Sequence, residues 1–370
     1  MRRTPLLLVP LVLASACADL PSAPAEFTSS RASADVVAPG ITVVMSGLNS
    51  PRGLDFAPNG DLYVAEAGTA QVTGACITVM EGPNLVPKCY SGTGSVSRLR
   101  KGVQERIVSG LASSVLVLSG FAAGPQDVSF GGGSAWVVVG AGNHPDQRGD
   151  LGADYAAVAG KLLQLQPSGQ WRVTADVSAF ELGNPAGGPI DSNPFGVLAE
   201  SGRRFITDAG GNTLLQVAAN GKIDLVATFP STASPPPFPP AEPVPTRVVR
   251  GPDGALYVST LSGAPFVAGA AAVYRVVPGS APVLYEGGFK MITDLAFGAD
   301  GSLYVLQFAT APLFPGGPGA LIRVAPDGTR TTITTSLEQP TGLTVGPDGS
   351  LYVSNRGTSS GNGEVLKIRL

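Results

Sequence analysis

The stretch "PTGLTVGPDGSLYVSNRG" at 340–357 decides the fold. It reads as a short apolar strand, a Pro-Asp-Gly turn, and a second strand, "LYVSN". Asp-Gly and Asn-Gly tolerate positive φ, which is the chemistry of a tight hairpin. The same reading recurs in "PRGLDFAPNGDLYVAEAG" from Pro51, "PTRVVRGPDGALYVSTLSG" from Pro245 and "ITDLAFGADGSLYVLQFA" from Ile292. Two looser copies lie between them, "PQDVSFGGGSAWVVVGAG" from Pro125 and "PFGVLAESGRRFITDAGG" from Pro194. Self-similarity of this kind marks stacked supersecondary units.

Working outward, two more strands follow most copies. They are "GSVSRLR" and "ERIVSGL" from Gly94 and Glu105, "AAVYRVV" and "PVLYEGG" from Ala271 and Pro282, and "ALIRVAP" and "RTTITTS" from Ala320 and Arg330. Six units of four antiparallel strands describe an all-β, six-bladed β-propeller. A parallel solenoid has shorter repeats and lacks the hairpins. The last unit holds only three strands and ends in "EVLKIRL", while a lone strand, "ITVVMSGL" from Ile41, precedes the first unit. Pairing Ile41–Gly47 with Glu364–Arg369 closes the ring and removes two open sheet edges.

Composition agrees. The 370 residues are 44% hydrophobic and only 14% charged, with 49 Gly and 33 Pro to punctuate short strands. A net charge of −3 without a basic block argues against a nucleic-acid partner. Arg2 and Arg3, the apolar run at 6–13 and Ala14-Ser15-Ala16 form an export signal. Cys17 follows directly, so "LASAC" resembles a bacterial lipobox, with Ala14 where Leu is preferred. The expectation is a lipoprotein-type signal peptide at 1–17, a flexible tether at 18–40 and the propeller at 41–370. Membrane contact would then run only through a lipid on Cys17, placing the protein in the periplasm or at the cell surface; without the lipid it would be secreted. Of the three Cys, Cys76 and Cys89 remain 13 positions apart in one insertion. Export to an oxidising compartment makes a disulfide the expected state. The single His, His144, gives zinc and nucleophilic catalysis little support.

The first-to-second turns are all short, and the long insertions are 67–93, 141–159, 178–193, 230–244 and 308–318. Each is a second-to-third turn or a link between blades, so all fall on one face. Rigid scaffolds carry function on such loops, and this loop-rich face is the candidate site for a protein or small polar ligand.

Aligning the repeats places Glu66, Val139, Asp208, Thr260, Gln307 and Asn355 together at the end of the second strand. A second register, near the start of the first strand, holds Gly53, Asp127, Gly196, Arg247, Asp294 and Gly342. Glu66, Asp127, Asp208, Arg247, Asp294 and Asn355 are the ligand-binding candidates. Three readings stand: a solvated funnel lining, a polar ligand site, or a cation held by Glu66, Asp208 and Asn355. Oxygen-only ligands would suit calcium or magnesium.

The ordered set "SPRGLDFAPNGDLYVAEAG", "DSNPFG", "TDAGGNTLL", "PDGALYV", "ALIRVAPDGTRTT" and "GPDGSLYVSNRG" resembles the ScyD/ScyE family of exported propellers, named after scytonemin gene clusters. The resemblance implies a TolB-like or NHL-like six-bladed fold and export, and no particular activity. The leading expectation is an exported, non-catalytic binding or assembly propeller of ScyD/ScyE type. The alternative, a metal-dependent hydrolase or lactonase working in the central funnel, rests on a fold-level likeness to gluconolactonase-like propellers.

Overall fold

The computed structural model describes residues 40–370 apart from 82–83, 167 and 314. The expected export signal, Cys17 and the expected tether up to residue 39 lie outside the described residues. Six sheets follow one another along the chain, each with its strands antiparallel. Their first strands are Pro51–Phe56, Pro125–Gly131, Pro194–Glu200, Pro245–Arg250, Ile292–Phe297 and Gly342–Val345. Each first strand packs against those of both neighbouring blades, so the six form a closed ring around an axis.

Closure is as the sequence reading expects. Gly40–Leu48 pairs antiparallel with Gly363–Arg369, with Ile41 opposite Ile368 and Val43 opposite Leu366. The last blade thus takes its outermost strand from the opposite end of the described chain. Gly40, placed in the tether by sequence, is the first residue of that strand.

The "LYV" strands explain how blades stack. Side chains alternate across a strand, and both faces of a blade are covered by neighbours. Leu62 and Val64 pack toward blade 6, while Tyr63 packs toward blade 2. Leu351 and Val353 likewise face blade 5 and Tyr352 faces blade 1. The tyrosine of one blade meets the phenylalanine at or next to the end of the next blade's first strand edge to face: Tyr63 with Phe130 at 4.8 Å, Tyr257 with Phe297 at 4.9 Å, Tyr352 with Phe56 at 4.9 Å. Six apolar clusters fill the six interfaces. Full burial of one Leu or Val there is worth about 1.5–3 kcal/mol.

Polar staples register the blades. Thr246 donates to the Ile292 carbonyl (2.8 Å), Thr293 to that of Pro340 (3.1 Å) and Thr341 to that of Pro51 (2.6 Å). Each hydroxyl donates to a backbone acceptor on the next blade and so ties neighbouring sheets that share no ladder.

The insertion at 67–93 is mostly sheet rather than loop. Cys76–Glu81 pairs with the first part of the long strand Asn84–Arg100, and Val103–Leu116 and Phe121–Ala123 continue the extension. Cys76 sits directly opposite Cys89 and is bonded to it, with the Cα atoms 4.0 Å apart. Among the described residues no helix is long and apolar enough to cross a membrane.

Candidate functional site

At the axis the structure joins three residues of the predicted first-strand register. Arg247 of blade 4 donates through Nη1 to Asp127 Oδ2 of blade 2, and its Nε lies 3.1 Å from Asp294 Oδ1 of blade 5. The aspartates are also held by backbone. Asp127 Oδ2 accepts from Val197 N (2.8 Å) and Asp294 Oδ2 from Leu343 N (2.7 Å), each N–H belonging to the next blade. The glycines of this register leave room for these groups: a Cβ on Gly53 would lie 1.9 Å from Asp127 Oδ1. What remains is an axial recess of about 10 Å³, the scale of a single water. The ion pairs therefore occupy the space that a ligand at this level would need.

Burial dominates the titration of the two aspartates. It pushes Asp127 up to about 6 and Asp294 up to about 7, although Arg247 opposes both shifts. Burial also pulls Arg247 down, but Asp127 and Asp294 outweigh it, and the guanidinium ends above its ordinary value.

The second-strand register is also drawn into the fold. Glu66 Oε2 accepts from Asn49 N (2.6 Å), Asp208 Oδ1 from Asn193 N (2.6 Å), Gln307 Oε1 from Lys290 N (2.7 Å) and Asn355 Oδ1 from Glu338 N (2.8 Å). All four donors lie in the link that enters the same blade. Thr260 does the equivalent work across its sheet, accepting from Ala272 N at 3.1 Å. The remaining capacity is used within each blade. Glu66 takes Ser97 (2.5 Å) and Arg106 (3.0 Å), and Asn355 donates to Glu364 (2.8 Å). Asp208 takes Ser192 (2.7 Å) and the amides of Gly210 and Gly211 (3.1 and 3.2 Å). Glu66, Asp208 and Asn355 are thus turned to their own blades and do not fit a shared calcium or magnesium ion. Among the described residues no three His, Cys, Asp or Glu are placed to hold a metal. Arg356 is similarly engaged, with Glu338 at 3.1 Å and Glu364 at 3.8 Å.

A less satisfied group lies on the loop-rich face, around Asp208. The helix Val177–Glu181 brings in Glu181, 1% exposed, whose Oε2 has no hydrogen-bond partner among the described residues. It lies against Gly211, where a Cβ would stand 2.7 Å from Oε2. Asp191 Oδ1 and Asn193 Oδ1 are also buried without partners. Asn193 N and Gly211 N both donate to Asp208 Oδ1, which ties these groups to one neighbourhood. Burial, Asp208 and Asp191 together push Glu181 up to about 7, and burial pushes Asp208 up to about 6.

One cation approaches from the side. Lys88, beside Cys89 on the disulfide hairpin, donates to Ala141 O, Gly142 O (3.1 Å) and Asn143 Oδ1 (3.0 Å). Asn143 in turn bridges to Ser192. Burial lowers Lys88 to about 8, opposed by Asp191. His144 caps a 3-10 turn by accepting from Asp146 N at 3.3 Å.

No protein-family model matches the chain, and no curated protein matches it in sequence. Among solved structures it is similar to a protein of unknown function from Bacteroides thetaiotaomicron, at 8% identity over 90% of this chain and 76% of that one, with a TM-score of 0.56. It is also similar to regucalcin, a calcium-binding protein from Agrobacterium tumefaciens, at 15% identity over 91% and 97% of the two chains, TM-score 0.51. A candidate gluconolactonase matches at 12% identity over 90% and 93%, TM-score 0.51. At such identities the likeness extends to the β-propeller fold alone.

Sequence reasoning named Asp208 and offered the oxygens of residues 191–193 as possible additions, but it did not single out Glu181 or Lys88. Glu181 and Lys88 lie in insertions, outside the repeat registers. The sequence also shows "DSN" at 191–193 and "DAGGN" at 208–212 as segments that could add carboxylate and amide oxygens, and both are equally ordinary turn sequences.

Proposed function

We propose that this chain is an exported binding propeller whose loop-rich face takes a ligand through a primary ammonium or guanidinium group. The carrying observation is Glu181 Oε2, a buried carboxylate oxygen without a partner among the described residues, set against Gly211, with further unpartnered oxygens of Asp191 and Asn193 around the same Asp208. An unsatisfied buried polar group costs about 1–3 kcal/mol, and a cation bearing several N–H donors relieves more than one of them. An organic cation also suits oxygens that are spread out rather than convergent on a point. The motif order that resembles the ScyD/ScyE family agrees with export. The unspent acceptors favour the amine site over chemistry in the funnel.

The test is calorimetric titration of the full chain with putrescine, arginine and tetramethylammonium at pH 6 and pH 8. Putrescine or arginine should bind, and tetramethylammonium, which has no N–H, should not. Affinity should rise from pH 6 to pH 8 as Glu181, poised at about 7, gives up its proton. Glu181→Gln should weaken binding about tenfold or more and remove most of that rise. Absence of binding by both N–H cations rejects the reading.

A further inference from the structure

The other face, with the short turns, carries a cleft of about 690 Å³ between blades 1 and 2. That volume lies within the range of small-molecule sites. Its apolar lining includes Tyr63, Phe130, Ile107 and Leu165. Arg98 and Arg100 also line it, and no Asp or Glu does. The chain as a whole carries a net charge of −3, so the charged groups that line this cleft are opposite in sign to the protein.

The repeat explains the asymmetry. In blades 4, 5 and 6 the third strand places a cation opposite the "LYV" tyrosine: Arg275 opposite Tyr257, Arg323 opposite Tyr304 and Lys367 opposite Tyr352. The aspartate of each blade's own hairpin turn neutralises it. Asp253 lies 2.6 Å from Arg275, Asp300 lies 2.8 Å from Arg323, and Asp348 pairs with Lys367. In blade 1 the cation is Arg98, opposite Tyr63, but the turn is "PNG", and Asn59 stands where the aspartate would be. Arg98 turns instead to Glu105 on the outer strand, 3.0 Å away, and keeps its Nη1 3.4 Å from the Tyr63 hydroxyl. Arg100 is half exposed and meets Asp61 only at 3.6 Å, a carboxylate already accepting from Asn59 Nδ2 at 3.0 Å. Of the four blades whose third strand sets a cation opposite the tyrosine, blade 1 alone lacks the turn aspartate, and its cations face an open cleft.

We infer that the cleft between blades 1 and 2 on the short-turn face binds a small amphipathic anion, an aromatic carboxylate or sulfonate. Its flat apolar body rests on Tyr63 and Phe130, and its acidic group meets Arg100 and Arg98. The site is independent of the amine site on the loop-rich face.

The probes are 8-anilinonaphthalene-1-sulfonate and its uncharged relative N-phenyl-1-naphthylamine, each followed by fluorescence on the full chain. The sulfonate should bind wild type with saturable enhancement. Asn59→Asp, which restores the turn carboxylate of the other blades, should weaken it about tenfold or more. Arg100→Gln should weaken it to a similar degree, while Arg100→Lys retains part of the affinity. The uncharged probe should bind all variants as it binds wild type, and arginine or putrescine titrations of the opposite face should be unchanged. Absence of saturable sulfonate binding, or sulfonate affinity untouched by both Asn59→Asp and Arg100→Gln, overturns the inference.

Discussion

At the residue scale, the polar positions of the repeat divide by what surrounds them. Glu66, Asp208, Gln307 and Asn355 each accept a backbone amide that the blade link leaves without a ladder partner. A sequence shows that a polar residue ends an apolar strand, but not whether a backbone N–H or a ligand will claim it. Asp294 offers a direct test of the axial triad. Its folded carboxyl is raised by burial to about 7, against roughly 4 for an unperturbed aspartate. Between those values the folded protein binds more protons than the unfolded chain. The contribution of this group to stability is therefore present at low pH and lost as pH rises from about 4 to 7. Asp294→Asn cannot ionise and keeps one acceptor oxygen, enough for the Leu343 or the Leu295 amide but not both. Its unfolding free energy should fall less steeply than wild type over that window, by on the order of a few kcal/mol. Denaturant titrations at half-unit pH steps would measure it, and identical slopes for the two proteins would refute the assignment.

At the element scale, the disulfide hairpin connects blade 1 to the loops of blade 2. Cys89 anchors one end, and the adjacent Lys88 reaches the carbonyls of Ala141 and Gly142. Closing a loop of this size is worth roughly 3 kcal/mol in the chain-entropy model. The stabilisation should fall on the extension, because the lower part of Asn84–Arg100 remains paired with Leu62–Glu66 without it. In a Cys76→Ser, Cys89→Ser double variant, amide exchange across 67–93 should speed up about tenfold or more, while the main melting transition moves little. Unchanged exchange in that segment would show that the hairpin is held by its packing instead. The sequence identified the pair of cysteines, but it read the segment as a loop. Its hairpin was hidden because no Asn-Gly or Asp-Gly turn marks the bend, and because the strand partner is an over-long strand continuing from the blade.

At the scale of the whole molecule, the ring depends on one strand supplied from the other end of the propeller. Gly40–Leu48 covers the edge of Gly363–Arg369 and contributes Met45 and Leu48 to the cluster between blades 6 and 1. Those two side chains alone are worth about 3–6 kcal/mol at ~1.5–3 kcal/mol each, and their loss would leave an unpaired strand edge. Deletion of 41–48 should abolish cooperative unfolding or drive aggregation, read by calorimetry and light scattering. A monomeric deletion protein with an unchanged melting point would count against closure.

The sequence by itself determined the number of blades, the antiparallel strand order, the closing strand and the face on which the insertions gather. These follow from local and periodic causes: turn residues that accept positive φ, side chains that alternate across a strand, and edges that must be covered. Only the tertiary structure decided which polar residues spend themselves on the fold. Asp127 and Arg247 are 120 positions apart, yet Arg247 also reaches Asp294, because a ring brings the starts of all first strands to one axis. Glu181 belongs to no register, and its unpartnered oxygen exists because a short helix in a blade link sets it against Gly211. Asn59 is visible as one letter, but its consequence depends on a cross-strand pairing that leaves Arg98 facing a gap between two blades. Backbone pattern is set by neighbours in sequence; the partner of a buried charge is set by neighbours across the ring.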